Sequence, residues 1–237
     1  MLLAGNSWTN GYLSSMLTEF GVPHHLYTLN RFRESVTVGS PDYSKYDRVL
    51  VLGCFRGSLL KLASTGLPPE KTVFYMVGTD AHTMSKPGMV SLIHRGLFMR
   101  YIERGARVVY VSEELHDLIG VEGPVLPIPV NTAMFMKDHS SRRKKDVLYY
   151  IGNGSHVYRP DWIMEYAREN PGESITLCAL SDFETDMGKT VSVPQEEMPG
   201  LYNVHRKLIR MTTHDGAPKM IYESLLCGCE VVYNGRR

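Results

Sequence analysis

The residues best placed to do chemistry lie in HDGAPKMIYESLLCGCEVVY, from His214 to Tyr233. Asp215 and Glu223 stand eight positions apart, with Gly216 and Pro218 between them. A Pro just inside a helix start and a Gly just past its end are the usual punctuation. Pro218 and Gly228 therefore bracket an expected helix, one face of which carries Ile221, Ser224, Leu225 and Gly228. Glu223 falls in its second turn and Asp215 in the loop ahead of its first. Both carboxylates can point to one mouth of a sheet, beside free N–H groups that favour an anion. Such a place suits a phosphorylated ligand that also carries hydroxyls. The plainer reading is a strand–loop–helix unit with a capping aspartate and a solvated glutamate.

An alternation of strands and helices must position these groups. Leu2–Ala4 reads as a short strand, Gly5-Asn6-Ser7 as a turn with a capping serine, and Leu13, Met16, Leu17 and Phe20 as a helix face that Gly21 ends. Strands are expected around His25–Leu29 and over 48–54, 72–78, 106–112 and 124–130, with helices over 88–104 and 113–119. Residues 131–145 are polar, end in SSRRKK and lack an apolar period, as a linker would. The pattern then resumes with strands at 147–152, 174–180, 189–193, 207–213 and 230–233, and a helix with Ile163, Tyr166 and Ala167 inward. Apolar strands separated by helices predict an α/β chain of two Rossmann-like, doubly wound parallel sheets. The expected domains are 1–130 and 146–237. Ligands of such sheets bind outside the carboxyl ends of the strands, where Gly5–Ser7, Thr79–His82, Ser112, Gly152–Ser155 and Asp215–Glu223 fall.

Composition narrows the function. The 237 residues are 43% hydrophobic and 22% charged with a formal net charge of +1, as in a soluble globular protein with no global preference for nucleic acid. No apolar run approaches bilayer length and the N-terminus lacks a signal-peptide pattern. The four cysteines, Cys54, Cys178, Cys227 and Cys229, form no C-x-x-C pair and read as reduced and buried, which points to the cytoplasm. The SSRRKK run reads as solvated charge or, more sharply, as a peripheral contact with an anionic membrane surface. Met84, Met89, Met99, Met134 and Met136 read as core or groove filler, and His156 and His214 as structural residues.

The 215–223 stretch resembles the E-x7-E signature of the retaining, nucleotide-sugar-dependent glycosyltransferases of family 4, with Asp215 in place of the first Glu. Other segments resemble that family in order: FYMVGTDAH (74–82), VVYVSEEL (108–115), VLPIPVNTAMF (125–135), YYIGNGSHVYRP (149–160) and MPGLYNVHRKLIRMTTHDG (198–216). The resemblance covers nearly the whole chain. It departs in three ways: Asn153 stands where the phosphate loop usually has Arg, the first carboxylate is Asp, and the usual closing helices are absent.

The resemblance implies a GT-B fold, with two Rossmann-like domains facing across a cleft and a compact C-terminal domain that holds the nucleotide sugar. It assigns Glu223 to the ribose hydroxyls and Asp215 to hydroxyls of the transferred sugar. Arg159 and Lys219 would supply charge to the leaving diphosphate, and the Gly152-Asn153-Gly154 loop and the Gly216-Ala217-Pro218 turn would bring backbone N–H groups near it. Gly5, Asn6, Asp80 and His82 would face the acceptor, although capping by Asp80 and an exposed His82 account for the latter two as well. The implied activity is metal-independent transfer, with retention, from a nucleoside-diphosphate sugar to an unidentified glycan, lipid, protein or small molecule. No cofactor is implied beyond the donor, and no Asp-x-Asp pair suggests a metal. Were the reaction inverting, Asp80 is the one candidate base. The alternatives are a degenerate GT-B protein that binds a nucleotide or sugar without transfer, and a GT-B enzyme of another type such as an epimerase. Oligomeric state is not legible in the sequence.

Overall fold

The computed structural model describes residues 1–5, 14, 17–18, 21–28, 41–52, 58–140, 142, 145–213 and 218–234. The chain divides into two compact units, Met1–Pro127 and Ile128–Arg237. Each is built on its own open parallel sheet.

In the first unit, β1 (Leu2–Gly5), β2 (His25–Thr28), β3 (Val49–Leu52), β4 (Thr72–Met76) and β5 (Arg107–Tyr110) take the order β2-β1-β3-β4-β5, all parallel. Chain direction across the sheet reverses between β1 and β3, the point at which doubly wound sheets open a crevice. Leu2, Leu3, Val49, Val51, Phe74 and Met76 are buried, because helices on both faces leave no solvent side. The helices are α1 (Ser58–Ser64), α2 (Thr79–Ser85), α3 (Met89–Glu103) and α4 (Glu113–Ile119). Phe98 and Tyr101 of α3 lie 5.2 and 5.8 Å from Phe74 in edge-to-face or tilted contacts. α1 was not expected from the sequence. The 124–130 strand reduces to one parallel bridge between Tyr110 and Val125. Pro127 and Pro129 lack the N–H a ladder needs.

In the second unit, β6 (Lys145–Gly152), β7 (Ile175–Ala179), β10 (His205–Arg210) and β11 (Glu230–Tyr233) take the order β11-β10-β6-β7, again all parallel, so the reversal falls between β6 and β10. A two-residue hairpin, β8 (Glu184–Thr185) with β9 (Gly188–Lys189), stands apart. Val147, Tyr149 and Ile151 pack with Ile163 of α5 (Pro160–Glu169). Leu148 packs on the opposite face with Tyr202 of α6 (Met198–Val204) and with Met220 and Cys227, at and just beyond α7 (Lys219–Leu226).

Three differences from the sequence reading have physical causes. The expected strand at 189–193 is a single bridge from Val191 to Cys178, since Asp182 takes the Ser192 N–H and Pro194 follows. The expected linker is anchored over 135–138: Phe135 is buried in the second core, and Asn203 accepts from Asp138 N–H and donates to the Met136 carbonyl. Burying Phe135 alone stabilises this seat by about 2–3 kcal/mol. And α7 buries Met220, Glu223 and Ser224 rather than Ile221 and Leu225, with Leu225 exposed. Cys178, Cys227 and Cys229 are buried, while Cys54, Leu13, Met16 and Phe20 lie outside the described residues. Met84 is buried, but Met89, Met134 and Met136 are exposed and fill no core.

Candidate functional site

The loop after β6 is shaped by glycine. Gly152 and Gly154 adopt φ of 58° and 73°, and a Cβ on Gly152 would stand 2.3 Å from the Tyr158 ring. Asn153 closes a side-chain turn by accepting from Ser155 N–H. The loop then forms a 3-10 turn at His156–Tyr158 and enters α5 through Arg159, a non-glycine residue at φ 48°. Two contacts hold it in place. The buried Tyr149 hydroxyl donates to the Tyr158 and Arg159 carbonyls at 2.8 and 3.0 Å, and Thr213 N–H, just beyond β10, donates to the Val157 carbonyl.

Arg210 ends β10, on the strand beside β6. It is 7% exposed. Its guanidinium lies over the Tyr150 ring at 4.6 Å and near the Tyr158 ring at 5.7 Å, with Nη1 3.0 Å from Met220 Sδ. The cation is thus wedged between the glycine loop and the first turn of α7, beside the crevice at the strand-order reversal.

α7 starts after Pro218, which occupies the N-cap position rather than the first helical turn. It stops in a Schellman motif in which Gly228, at φ 79°, donates to Leu225 and Cys229 donates to Ser224. Within it, Glu223 is 1% exposed and Lys219 is 8% exposed. Glu223 Oε1 accepts from Gln195 Nε2 at 3.0 Å and lies 3.3 Å from Lys219 Nζ. Its Oε2 accepts from Tyr202 OH at 3.1 Å, and Lys219 also donates to Gln195 Oε1 at 2.8 Å. Burial lowers the Lys219 pKa, with Glu223 opposing the shift. Burial, then the charge of Glu223, raises the Tyr202 phenol well above its usual value, so it remains a donor. A carboxylate offers about four acceptor positions; three are used here, one of them by the displaceable amide of Gln195.

The sequence-selected residues fall in several places. Gly152, Asn153 and Gly154 form the glycine loop, and Pro218, Lys219 and Glu223 belong to α7 and its start. Arg159 lies at the loop's far end, where its Nε and Nη2 grip Asp161 at 3.0–3.2 Å and hold that carboxyl below its usual range. In the first unit Gly5 ends β1, while Asp80 and His82 lie on α2 rather than in a strand-end loop. His82 is not an exposed residue: its side chain is 17% accessible, with Nε2 3.8 Å from Glu114 Oε1. Asn6, Asp215, Gly216 and Ala217 lie outside the described residues. Among the described residues, no three His, Cys, Asp or Glu side chains gather as a metal group.

No family model matches the chain, and no curated protein matches it in sequence. Solved structures do. Sucrose-phosphate synthase from Thermosynechococcus elongatus superposes with a TM-score of 0.69 over 98% of this chain and 81% of that one, at 10% identity. AviGT4, a glycosyltransferase involved in avilamycin A biosynthesis, gives 0.55 over 100% of this chain and 79% of that one, at 16% identity. The fold is that of GT-B glycosyltransferases.

Three residues of the site escaped the sequence reading. Gln195 and Tyr202 reach Glu223 from 28 and 21 positions away, and nothing local marks them. Arg210 did leave a signal, a cation that follows the apolar pair Leu208-Ile209 at the end of a strand.

Proposed function

We propose that the protein transfers a glycosyl group from a nucleoside-diphosphate sugar to an acceptor nucleophile, without a metal and with retention. The observation that carries this reading is the Glu223 carboxylate, buried in the second turn of α7 in a chain that shares the GT-B fold over nearly its whole length. A carboxylate fixed by a lysine and a tyrosine is a rigid acceptor for ribose hydroxyls, which would take the place of the Gln195 amide. The glycine loop and the start of α7 would direct N–H groups at the diphosphate.

Arg210, wedged between these two elements, would meet the charge that develops on the leaving phosphate; fixed charge of this kind is usually the largest catalytic contribution. Arg159 is engaged with Asp161 and is the weaker candidate for that role. Asp215 would accept from the sugar, and Gly5, Asn6, Asp80 and His82 would lie on the acceptor side. In the transfer, the bond from C1 to the phosphate oxygen breaks with its electron pair leaving on the diphosphate. The acceptor oxygen bonds to C1 on the same face, and its proton passes to the departing phosphate.

A second reading, a nucleotide- or sugar-binding protein without transfer, is favoured by the Arg159–Asp161 pair and by Asn153, which leave the loop itself without an available cation. Calorimetry with UDP, GDP and several nucleotide sugars, followed by donor-turnover assays, separates the two. Binding without turnover under every acceptor supports the second reading. No nucleotide binding at all removes both.

A further inference from the structure

The first five residues of α3 expose four large apolar side chains. Met89 is 78% exposed and Leu92 68%, and Val90 and Ile93 are exposed beside them. The opposite face of the helix is ordinary core, with Ser91, His94, Phe98 and Tyr101 buried. Single exposed apolar residues need no explanation, but a contiguous group marks a contact surface.

The surroundings of the group select its partner. Lys86 precedes it in an exposed turn, Arg95 and Arg100 follow, and residues 81–102 contain no Asp or Glu. At 3.6 residues per turn, Met89, Ile93, Gly96 and Arg100 lie along one outward stripe, with Arg100 about 10 Å beyond Ile93. Gly96 has open space where a side chain would be, so the apolar tip stands clear of the cation behind it. An apolar tip inserted about 5–10 Å into the headgroup and acyl boundary would place this arginine at phosphate level. A second copy of the chain packed on the same face would set one Lys86, Arg95 and Arg100 collar against another, and like charges would oppose it. We infer that the Lys86–Arg100 segment is a membrane-surface site that inserts Met89, Val90, Leu92 and Ile93 into a bilayer bearing anionic lipid. This is a different segment from the SSRRKK run, and it stands independently of the donor chemistry.

Co-sedimentation of the full chain with phosphatidylcholine vesicles, with and without phosphatidylglycerol, tests the site. The parent protein should pellet with the anionic vesicles and not with the neutral ones, and salt should weaken the binding. Leu92→Glu with Ile93→Glu should lower the partition at least about tenfold, and Lys86→Glu with Arg100→Glu should do the same. Thermal midpoints should stay at the parent's value, since these side chains are exposed. Three results would each overturn the inference. The parent does not pellet with anionic vesicles; the Leu92/Ile93 variant pellets like the parent while Arg142→Glu with Lys145→Glu does not; or sedimentation equilibrium finds a dimer that Leu92→Glu dissociates.

Discussion

The Lys219 ammonium stands 3.3 Å from the Glu223 carboxylate, one helical turn away on α7, and both groups are buried. Neither can be changed alone without leaving the other in a site built for a pair. Removing one partner of a buried pair costs about 3–5 kcal/mol, whereas replacing both by neutral groups is often close to neutral. Glu223→Ala is therefore expected to destabilise the fold as well as to abolish nucleotide binding. Glu223→Gln combined with Lys219→Met should be more stable than Glu223→Gln alone in denaturant unfolding, and should still bind nucleotide at least about tenfold more weakly than the parent, or roughly 1.4 kcal/mol. A double variant no more stable than the single would mean that the two charges are not coupled. A double variant that binds as the parent does would remove Glu223 from the site.

Two arginines are candidates for the proposed diphosphate contact, and their surroundings separate them. Arg159 spends its guanidinium on Asp161 at the surface, while Arg210 is buried beside the glycine loop. Hydrogen bonds to charged groups contribute about 1.5–3 kcal/mol, so Arg210→Gln should weaken nucleoside-diphosphate binding by about one to two orders of magnitude. Arg159→Gln should change it less than about fivefold, as befits an exposed ion pair worth no more than about 1 kcal/mol. Calorimetry of both variants with the same nucleotide reads this directly. The reverse ranking would return the role to Arg159.

The parts of this molecule that were legible in the sequence are those where one local signal suffices. RVLVLGC, TVFYMVG and VLYYIG are apolar without alternation because helices cover both faces of each sheet, and Val49–Leu52, Thr72–Met76 and Lys145–Gly152 are strands in the structure. The helix at 219–226 was legible from Pro218 and Gly228, but its buried face was not. Apolarity favoured Ile221 and Leu225, whereas the network of Gln195, Tyr202 and Lys219 draws the charged Glu223 inward instead. Such a network is assembled by tertiary contact between α7, α6 and the turn before it, so no spacing records it. Proline explains the opposite error at 124–130, where an apolar run looked like a strand but lacked the donors to pair.

His205 makes the second unit sensitive to acid. Its Nδ1 lies 2.7 Å from the Leu201 carbonyl and so carries the proton, which leaves Nε2 to accept from the Thr176 hydroxyl at 2.9 Å. Burial is the largest influence and lowers its pKa from 6.5. Below about pH 6.5 the unfolded chain binds a proton that the folded one refuses. Stability present above that pH is therefore lost as pH falls through the window beneath it, by up to about 1.4 kcal/mol per pH unit. Denaturant unfolding from about pH 7.5 down to 5.5 should record this loss. His205→Gln, which can still donate and accept, should flatten the dependence. An unchanged slope in the variant would assign the acid sensitivity to other groups.

Gly152 joins backbone strain to the chemistry of the site. Any L side chain at its φ of 58° costs roughly 1–2 kcal/mol. A Cβ there would also fall 2.3 Å from the Tyr158 ring, which stands edge-on to Tyr150 and borders the Arg210 guanidinium. Gly152→Ala must then move the ring or the loop, and either displacement reaches the arginine. The thermal midpoint should fall, and nucleoside-diphosphate affinity should fall with it. In a Tyr158→Ala background the same substitution meets no ring, so its stability cost should shrink toward the backbone share alone, and the difference between the two backgrounds measures the contact. An equal cost in both would mean that the glycine is needed only for its dihedral angles and not for its clearance from the ring.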